Sequence, residues 1–104
     1  MNMDMFNKII GVTVRDVGFD KESLWINFAN QSCLTVYNRW KFRPLRAEIG
    51  SIVGCELSNV AVLDDGLEFS FVNQVLTVDV SDDGYNSPEA LVLTMPGEPI
   101  VVWN

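Results

Sequence analysis

The sequence predicts an all-β protein, an antiparallel sandwich or partly open barrel of about eight strands. Three observations lead there. The first is an internal repeat, because residues 9–36 reappear, diverged, at residues 52–78. Gly11 and Gly54, Val17 and Val60, Leu24 and Leu67, Phe28 and Phe71, Asn30 and Asn73, and Gln31 and Gln74 all stand 43 positions apart. After one deletion, Leu34-Thr35-Val36 meets Leu76-Thr77-Val78 at a spacing of 42. The second observation is apolar alternation with a period of two, kept in the same parity in both copies. The third is turn chemistry at short, regular intervals. The predicted architecture is two similar three-stranded units followed by a C-terminal hairpin. At 104 residues the chain supports one core and not two, so the units share it as a single domain over residues 1–104.

In chain order, Ile10, Val12 and Val14 alternate with Gly11, Thr13 and Arg15 and read as the first strand. Gly18 to Glu22 reads as a polar turn. Leu24, Ile26 and Phe28 point inward on the second strand, and Ala29 to Ser32 form a tight turn in which Asn30 is the residue expected at positive φ. Leu34 and Val36 then point inward. Continuing that parity across the link between units places Trp40 and Phe42 inside and Arg39, Lys41 and Arg43 outside, with Pro44 ending the strand. Residues 45–51 have room for one helical turn at most. The second unit repeats the scheme, with Val53, Cys55 and Leu57 inward, an Asp64-Asp65-Gly66 turn, then Leu67, Phe69 and Phe71 inward. Asn73-Gln74 turns the chain, and Leu76, Val78 and Val80 return inward. A polar loop from Ser81 to Pro88 leads to a last hairpin, Ala90 to Met95 and Pro99 to Trp103, turned at Pro96-Gly97-Glu98. Trp40 and Trp103 are assigned to the core.

Composition narrows the class. Hydrophobic residues at 48% and charged residues at 20% mark an ordinary globular chain rather than a disordered one. No apolar run approaches the roughly 20 residues needed to cross a bilayer, so no membrane association is expected. The opening Met1-Asn2-Met3-Asp4-Met5 lacks a basic region followed by an apolar stretch, and the expected location is cytoplasmic. Cys33 and Cys55 do not form a disulfide framework, and Cys55 is expected as a buried free thiol.

Charge is distributed unevenly. The net charge is −7, yet all seven Lys and Arg lie at or before Arg46, while ten of the 14 Asp and Glu lie after it. Such asymmetry points to a partner or to an internal electrostatic match. It argues against nucleic-acid binding, which needs a net basic footprint.

The absence of His removes Ser/His and Cys/His catalysis and the commonest neutral-pH base. Carboxylate pairs at Asp64-Asp65 and Asp82-Asp83 fit solvated turns. No catalytic residue, cofactor or metal ligand is assigned, and the chain is not expected to be an enzyme. Asp79, Ser81, Asp83 and Gly84 match four positions of an EF-hand loop. Asn86 and Ala90 stand where that loop needs an aliphatic residue and a bidentate Glu, and the flanks read as strands, so a polar β-turn is the preferred reading.

Two groups of residues are candidate partner contacts. The row Arg39, Lys41 and Arg43 repels itself unless something offsets it. Three readings compete: guarding an edge strand, pairing internally with acidic residues of the second unit such as Glu56 or Glu68, or forming half of a partner surface. Trp25 and Tyr37 fall on outward positions, with Glu68 and Asp79 as their counterparts in the other copy. Such aromatics are either covered by the terminal segment, through Met3, Met5 and Phe6, or available as interface anchors.

Gly84-Tyr85-Asn86-Ser87-Pro88-Glu89-Ala90, then Pro96-Gly97, then Ile100-Val101-Val102-Trp103, resembles the tail of small uncharacterised bacterial β-proteins. Together with Leu34-Thr35-Val36-Tyr37-Asn38-Arg39-Trp40 the resemblance spans most of the chain. In size and charge the chain is similar to immunity proteins that neutralise secreted toxins. That resemblance implies a protein partner and transfers no functional residue.

The expected function is therefore a non-enzymatic protein-binding module. In its most concrete form an acidic surface, with Asp64, Asp65, Glu68, Asp79, Asp82 and Asp83, meets a basic toxin. Two alternatives belong to other classes: a self-associating structural subunit forming a homo-oligomer, and a β-domain that binds a small ligand or metal.

Overall fold

The structure is a computed structural model that describes residues 6–43, 46–81 and 90–103. Among the described residues nine strands form two antiparallel sheets that are not closed into a barrel, and the architecture is sandwich-like. Sheet I has the order β1 (Val14–Phe19), β2 (Leu24–Phe28), β3 (Cys33–Val36), β8 (Leu91–Thr94), β9 (Val101–Trp103). Sheet II has the order β4 (Trp40–Arg43), β7 (Val75–Asp79), β6 (Gly66–Ser70), β5 (Asn59–Val62). A 3-10 helix spans Arg46–Ile52. Each repeat is thus a three-stranded meander, one in each sheet. The strand after each repeat crosses to the other sheet: β4 pairs with β7 of the second unit, and β8 pairs with β3 of the first.

This exchange follows an internal pseudo-two-fold axis. Thr13 and Glu56, themselves 43 apart in sequence, form an isolated antiparallel bridge between the units. Around it the hydrogen bonds come in equivalent pairs. Gly11 N–H donates to Leu57 C=O (2.7 Å) and Gly54 N–H to Val14 C=O (2.9 Å). Val14 N–H donates to Cys55 C=O (2.8 Å) and Leu57 N–H to Val12 C=O (3.2 Å). The far ends obey the same relation: Tyr37 N–H donates to Ala90 C=O and Asp79 N–H to Arg39 C=O, each at 2.9 Å.

The first strand of each unit lies further along the chain than alternation predicts. Residues 6–11 form a helical turn, with Ile9 N–H and Ile10 N–H both donating to Phe6 C=O, and β1 begins only at Val14. The equivalent stretch of the second unit is the 3-10 helix, seven residues long rather than one turn, and β5 begins at Asn59. The physical reason is spacing by three. Phe6 and Ile9, and their counterparts Ile49 and Ile52, all bury fully on one helical face. Val53, expected inside, is 47% exposed, and Cys55 is half-buried rather than enclosed. Gly11 and Gly54 end the two turns at φ +87° and +86°, a left-handed conformation suited to glycine, and a Cβ at either would meet nothing within 4 Å. Gly11→Ala and Gly54→Ala should therefore each cost about 1–2 kcal/mol through backbone conformation alone. Denaturant unfolding checks this, and a neutral result at either site contradicts the paired-turn reading.

Gly18 belongs to β1 and not to a turn. The turn lies at 20–23, where Asp20 Oδ1 accepts from Glu22 N–H (2.8 Å) and Ser23 N–H (2.9 Å). In the tight turn after β2 the positive φ falls on Gln31 (69°), not on Asn30. Asn30 instead uses Oδ1 to accept from Ser32 N–H (3.0 Å), which holds the turn from the residue before.

The inward rows of the remaining strands are as alternation predicts, with Val80 half-buried at the end of its row. Leu24, Ile26, Phe28, Leu34 and Val36 face Leu67, Phe69, Phe71, Leu76 and Val78 across the sandwich, all buried. Leu57, Trp40, Phe42 and Trp103 join them, and each fully buried large apolar side chain contributes about 1.5–3 kcal/mol. The Asp64-Asp65-Gly66 turn is present between β5 and β6, closed by Leu63 N–H donating to Gly66 C=O (2.8 Å). Pro44 and most of the Ser81 to Pro88 loop lie outside the described residues.

Candidate functional site

The candidate residues separate onto two outer faces. On sheet I the register sets Gly18, Trp25, Thr35, Val92 and Val102 opposite one another in a single row across all five strands. A second row runs Asp16, Asn27, Cys33, Thr94. Tyr37 extends the β3–β8 ladder one residue beyond Val36 and so lies on the same face as Trp25. The ionised side chain in these rows is Asp16, at the margin. It accepts from Asn27 Nδ2 (2.6 Å) and Arg15 Nε (3.3 Å), which together hold its carboxyl below the ordinary 3.8, the Asn27 bond foremost.

The terminal segment does not cover Trp25 through Phe6. Phe6 is buried between the sheets, edge-on to Phe69 and stacked on Trp103. Met3 and Met5 lie outside the described residues. The Trp25 indole lies across Gly18 instead, where an added Cβ would sit 2.6 Å from the ring. Gly18→Ala should therefore displace the indole and shift the Trp25 Nε1–H resonance, at a cost of about 1–3 kcal/mol. An unmoved resonance contradicts this packing.

Sheet II carries the charged candidates. Trp40 and Phe42 point inward and Arg39, Lys41 and Arg43 outward, as alternation predicts. Because β4 crosses to the second unit's sheet, this basic row shares a face with acidic residues of that unit. One row reads Lys41, Thr77, Glu68, Ala61, and the next Arg43, Val75, Ser70, Asn59. Two units of opposite charge therefore do not present two faces of opposite charge. The internal partner is Asp79, whose Oδ2 accepts from Arg39 (3.2 Å), and neither Glu56 nor Glu68 fills that role. Thr77 separates Glu68 from Lys41 in the cross-strand row, and no ion pair joins Glu56 to the basic row among the described residues. Asp64 and Asp65 are exposed at the β5–β6 turn, and Val80 N–H donates to Asp65 C=O (2.9 Å), so this turn lies against the end of β7.

Among the described carboxylates of the set, Asp79 is the best anchored. Its Oδ1 accepts from Ser81 Oγ (2.5 Å) and Ser81 N–H (2.9 Å), and these bonds, with Arg39 and then Lys41 behind them, lower its pKa from 3.8. A lowered folded pKa adds stability that is complete above the unfolded value and is lost as pH falls through the folded one. Stability should thus fall as pH drops below about 3.8, and Asp79→Asn should flatten that fall. An unchanged acid limb in the variant contradicts the assignment. Of the calcium-like pattern, Asp79 and Ser81 bond each other, Asp83 and Gly84 lie outside the described residues, and no metal-binding group of three or more His, Cys, Asp or Glu occurs among those described. Asp82 and Asp83 also lie outside.

Among the described residues no helix is long and apolar enough to cross a membrane. Thr35, Val92 and Val102 were not singled out by sequence reasoning. Their membership of the Trp25 row depends on the β3–β8–β9 register, which alternation within each strand does not encode. Comparison with protein-family models, with curated proteins and with solved structures found no match.

Proposed function

We propose that the protein is a non-enzymatic protein-binding module whose partner meets the outer face of sheet I. The observation that supports this most is the uncharged row from Gly18 to Val102 with Trp25 within it. The solvent face of an antiparallel sheet ordinarily alternates to polar and charged residues. A continuous neutral patch with an aromatic anchor and a polar rim has the composition of an interface centre. Trp25 and Tyr37, enriched types at interface hot spots, share this face.

In its most concrete form the module is an immunity-type protein that neutralises a basic toxin. The net charge of −7 then speeds encounter through long-range attraction, to which Asp64 and Asp65, exposed at the β5–β6 turn, contribute. The test is a binding titration with the product of the adjacent gene. Trp25→Ala should weaken affinity by about 2 kcal/mol or more. Reversing Asp64 and Asp65 to lysine should slow association and reduce its salt dependence. Affinity indifferent to Trp25 overturns the face, and association indifferent to salt and to charge reversal overturns the electrostatic form.

A further inference from the structure

The Trp25 indole has a defined pose on the outer face of sheet I. A Cβ built on Gly18 would lie 2.6 Å from Nε1, Cε2 and Cζ2 alike, so the ring is laid across Gly18, with one side toward the sheet and the other away from it. Trp25 is half-buried in this pose. Among the described residues its Nε1–H has no hydrogen-bond acceptor, whereas an indole N–H that is buried usually finds one. Beside the ring the row continues through Thr35, Val92 and Val102, all half-buried and none charged. Among the described residues the contact of the Thr35 hydroxyl is a weak one, with Cys33 Sγ at 3.8 Å.

We infer that this row receives a proline-rich, extended segment of the partner protein, with one proline ring stacked on the outward side of the Trp25 indole. The inference rests on the reading that a protein partner meets this face, and it names the segment that partner presents. Length fits first. The row crosses five strands. At about 4.8 Å between strands it spans about 19 Å, which a polyproline II segment of about six residues covers at about 3.1 Å per residue. Hydrogen bonding selects further. A polyproline II segment makes no internal hydrogen bonds, so its carbonyls are open acceptors. The Trp25 Nε1–H and the Thr35 hydroxyl are donors placed side by side in the row. Proline brings no N–H of its own, so a row of Gly, Trp, Thr and Val leaves no proline donor unpaired. The same row holds no charge to attract an acidic or basic side chain. Proline-rich segments dock on aromatic surfaces in this way, and their preformed conformation loses little entropy on binding.

The test uses the full-length 15N-labelled protein. Capped hexaproline is titrated in, with a glycine–serine hexapeptide and cellohexaose as controls. The expected result is a shift of the Trp25 Nε1–H resonance and of the Thr35 and Val92 amides with hexaproline, and no response to either control. Trp25→Phe keeps a ring and removes the N–H, and should weaken the peptide about threefold to tenfold. Trp25→Ala should weaken it further. Trp25 points outward, and an unchanged Tm confirms that each variant folds. No shift at millimolar hexaproline, equal binding of the glycine–serine peptide, binding of the oligosaccharide instead, or binding indifferent to Trp25→Ala overturns the inference. The broader reading fails separately. It falls if the partner's affinity ignores Trp25→Ala, and it stands if the partner needs Trp25 while hexaproline leaves the face unmoved.

Discussion

Phe6→Ala should lower stability by about 3–5 kcal/mol, a large share of the roughly 5–15 kcal/mol that holds a domain together. Phe6 is fully buried. Its ring meets Phe69 of sheet II edge-on at 5.4 Å and stacks on Trp103 of sheet I at 6.1 Å, so one side chain from the N-terminal turn joins both sheets. Truncation would leave a cavity bounded by two aromatic rings that lie in different sheets and cannot both collapse into it. Thermal unfolding should show Tm falling by about 12 °C or more. Phe6→Leu should recover much of the loss, because volume is mostly kept. A loss below about 1 kcal/mol would mean that the turn does not enter the core.

The second large effect tests the repeat itself. Phe28 and Phe71 end the inward rows of the two middle strands, and both are buried. Each backbone N–H closes the following turn, Phe28 to Ser32 C=O (2.8 Å) and Phe71 to Gln74 C=O (2.9 Å). Phe28→Ala and Phe71→Ala should each cost about 3–5 kcal/mol. Because the surroundings are equivalent, the two costs should agree to within about 1 kcal/mol, well inside the spread that unrelated core sites show. Denaturant titration of both variants measures this. Two widely different costs would mean that the equivalence ends at the backbone.

Much of the sandwich was legible in the sequence because period-two alternation is a local signal. The inward rows of β2, β3, β4, β6 and β7 follow from it directly, as does the outward row Arg39, Lys41, Arg43. The first strand of each unit was misread because Ile10, Val12 and Val14 also alternate. Over so short a stretch that pattern competes with the three-residue spacing of Phe6 and Ile9, and burial favours the latter. The lengthened repeat, with Phe6 and Ile9 matched by Ile49 and Ile52, was the signal that could have revealed it.

The charge asymmetry was legible, and internal pairing with an acidic residue of the second unit was one of its readings; the partner is Asp79 rather than Glu56 or Glu68. Linear sequence puts Arg39 with the first unit, but the exchange of β4 carries it beside Asp79 of the second. Nothing local in Trp40–Arg43 specifies which sheet receives it. The same exchange makes β4 the equivalent of β8.

The two units interlock about Thr13 and Glu56. Leu57 N–H to Val12 C=O and Val14 N–H to Cys55 C=O flank that pair, which makes it a narrow, non-hydrogen-bonded pair with Cα atoms about 4.5 Å apart. The direct measurement is a NOESY spectrum of the labelled protein. A strong cross-peak between Thr13 Hα and Glu56 Hα is the predicted result. Its absence from a spectrum that contains the cross-strand peaks of β2–β3 and β6–β7 would contradict the interlocked two-fold fold.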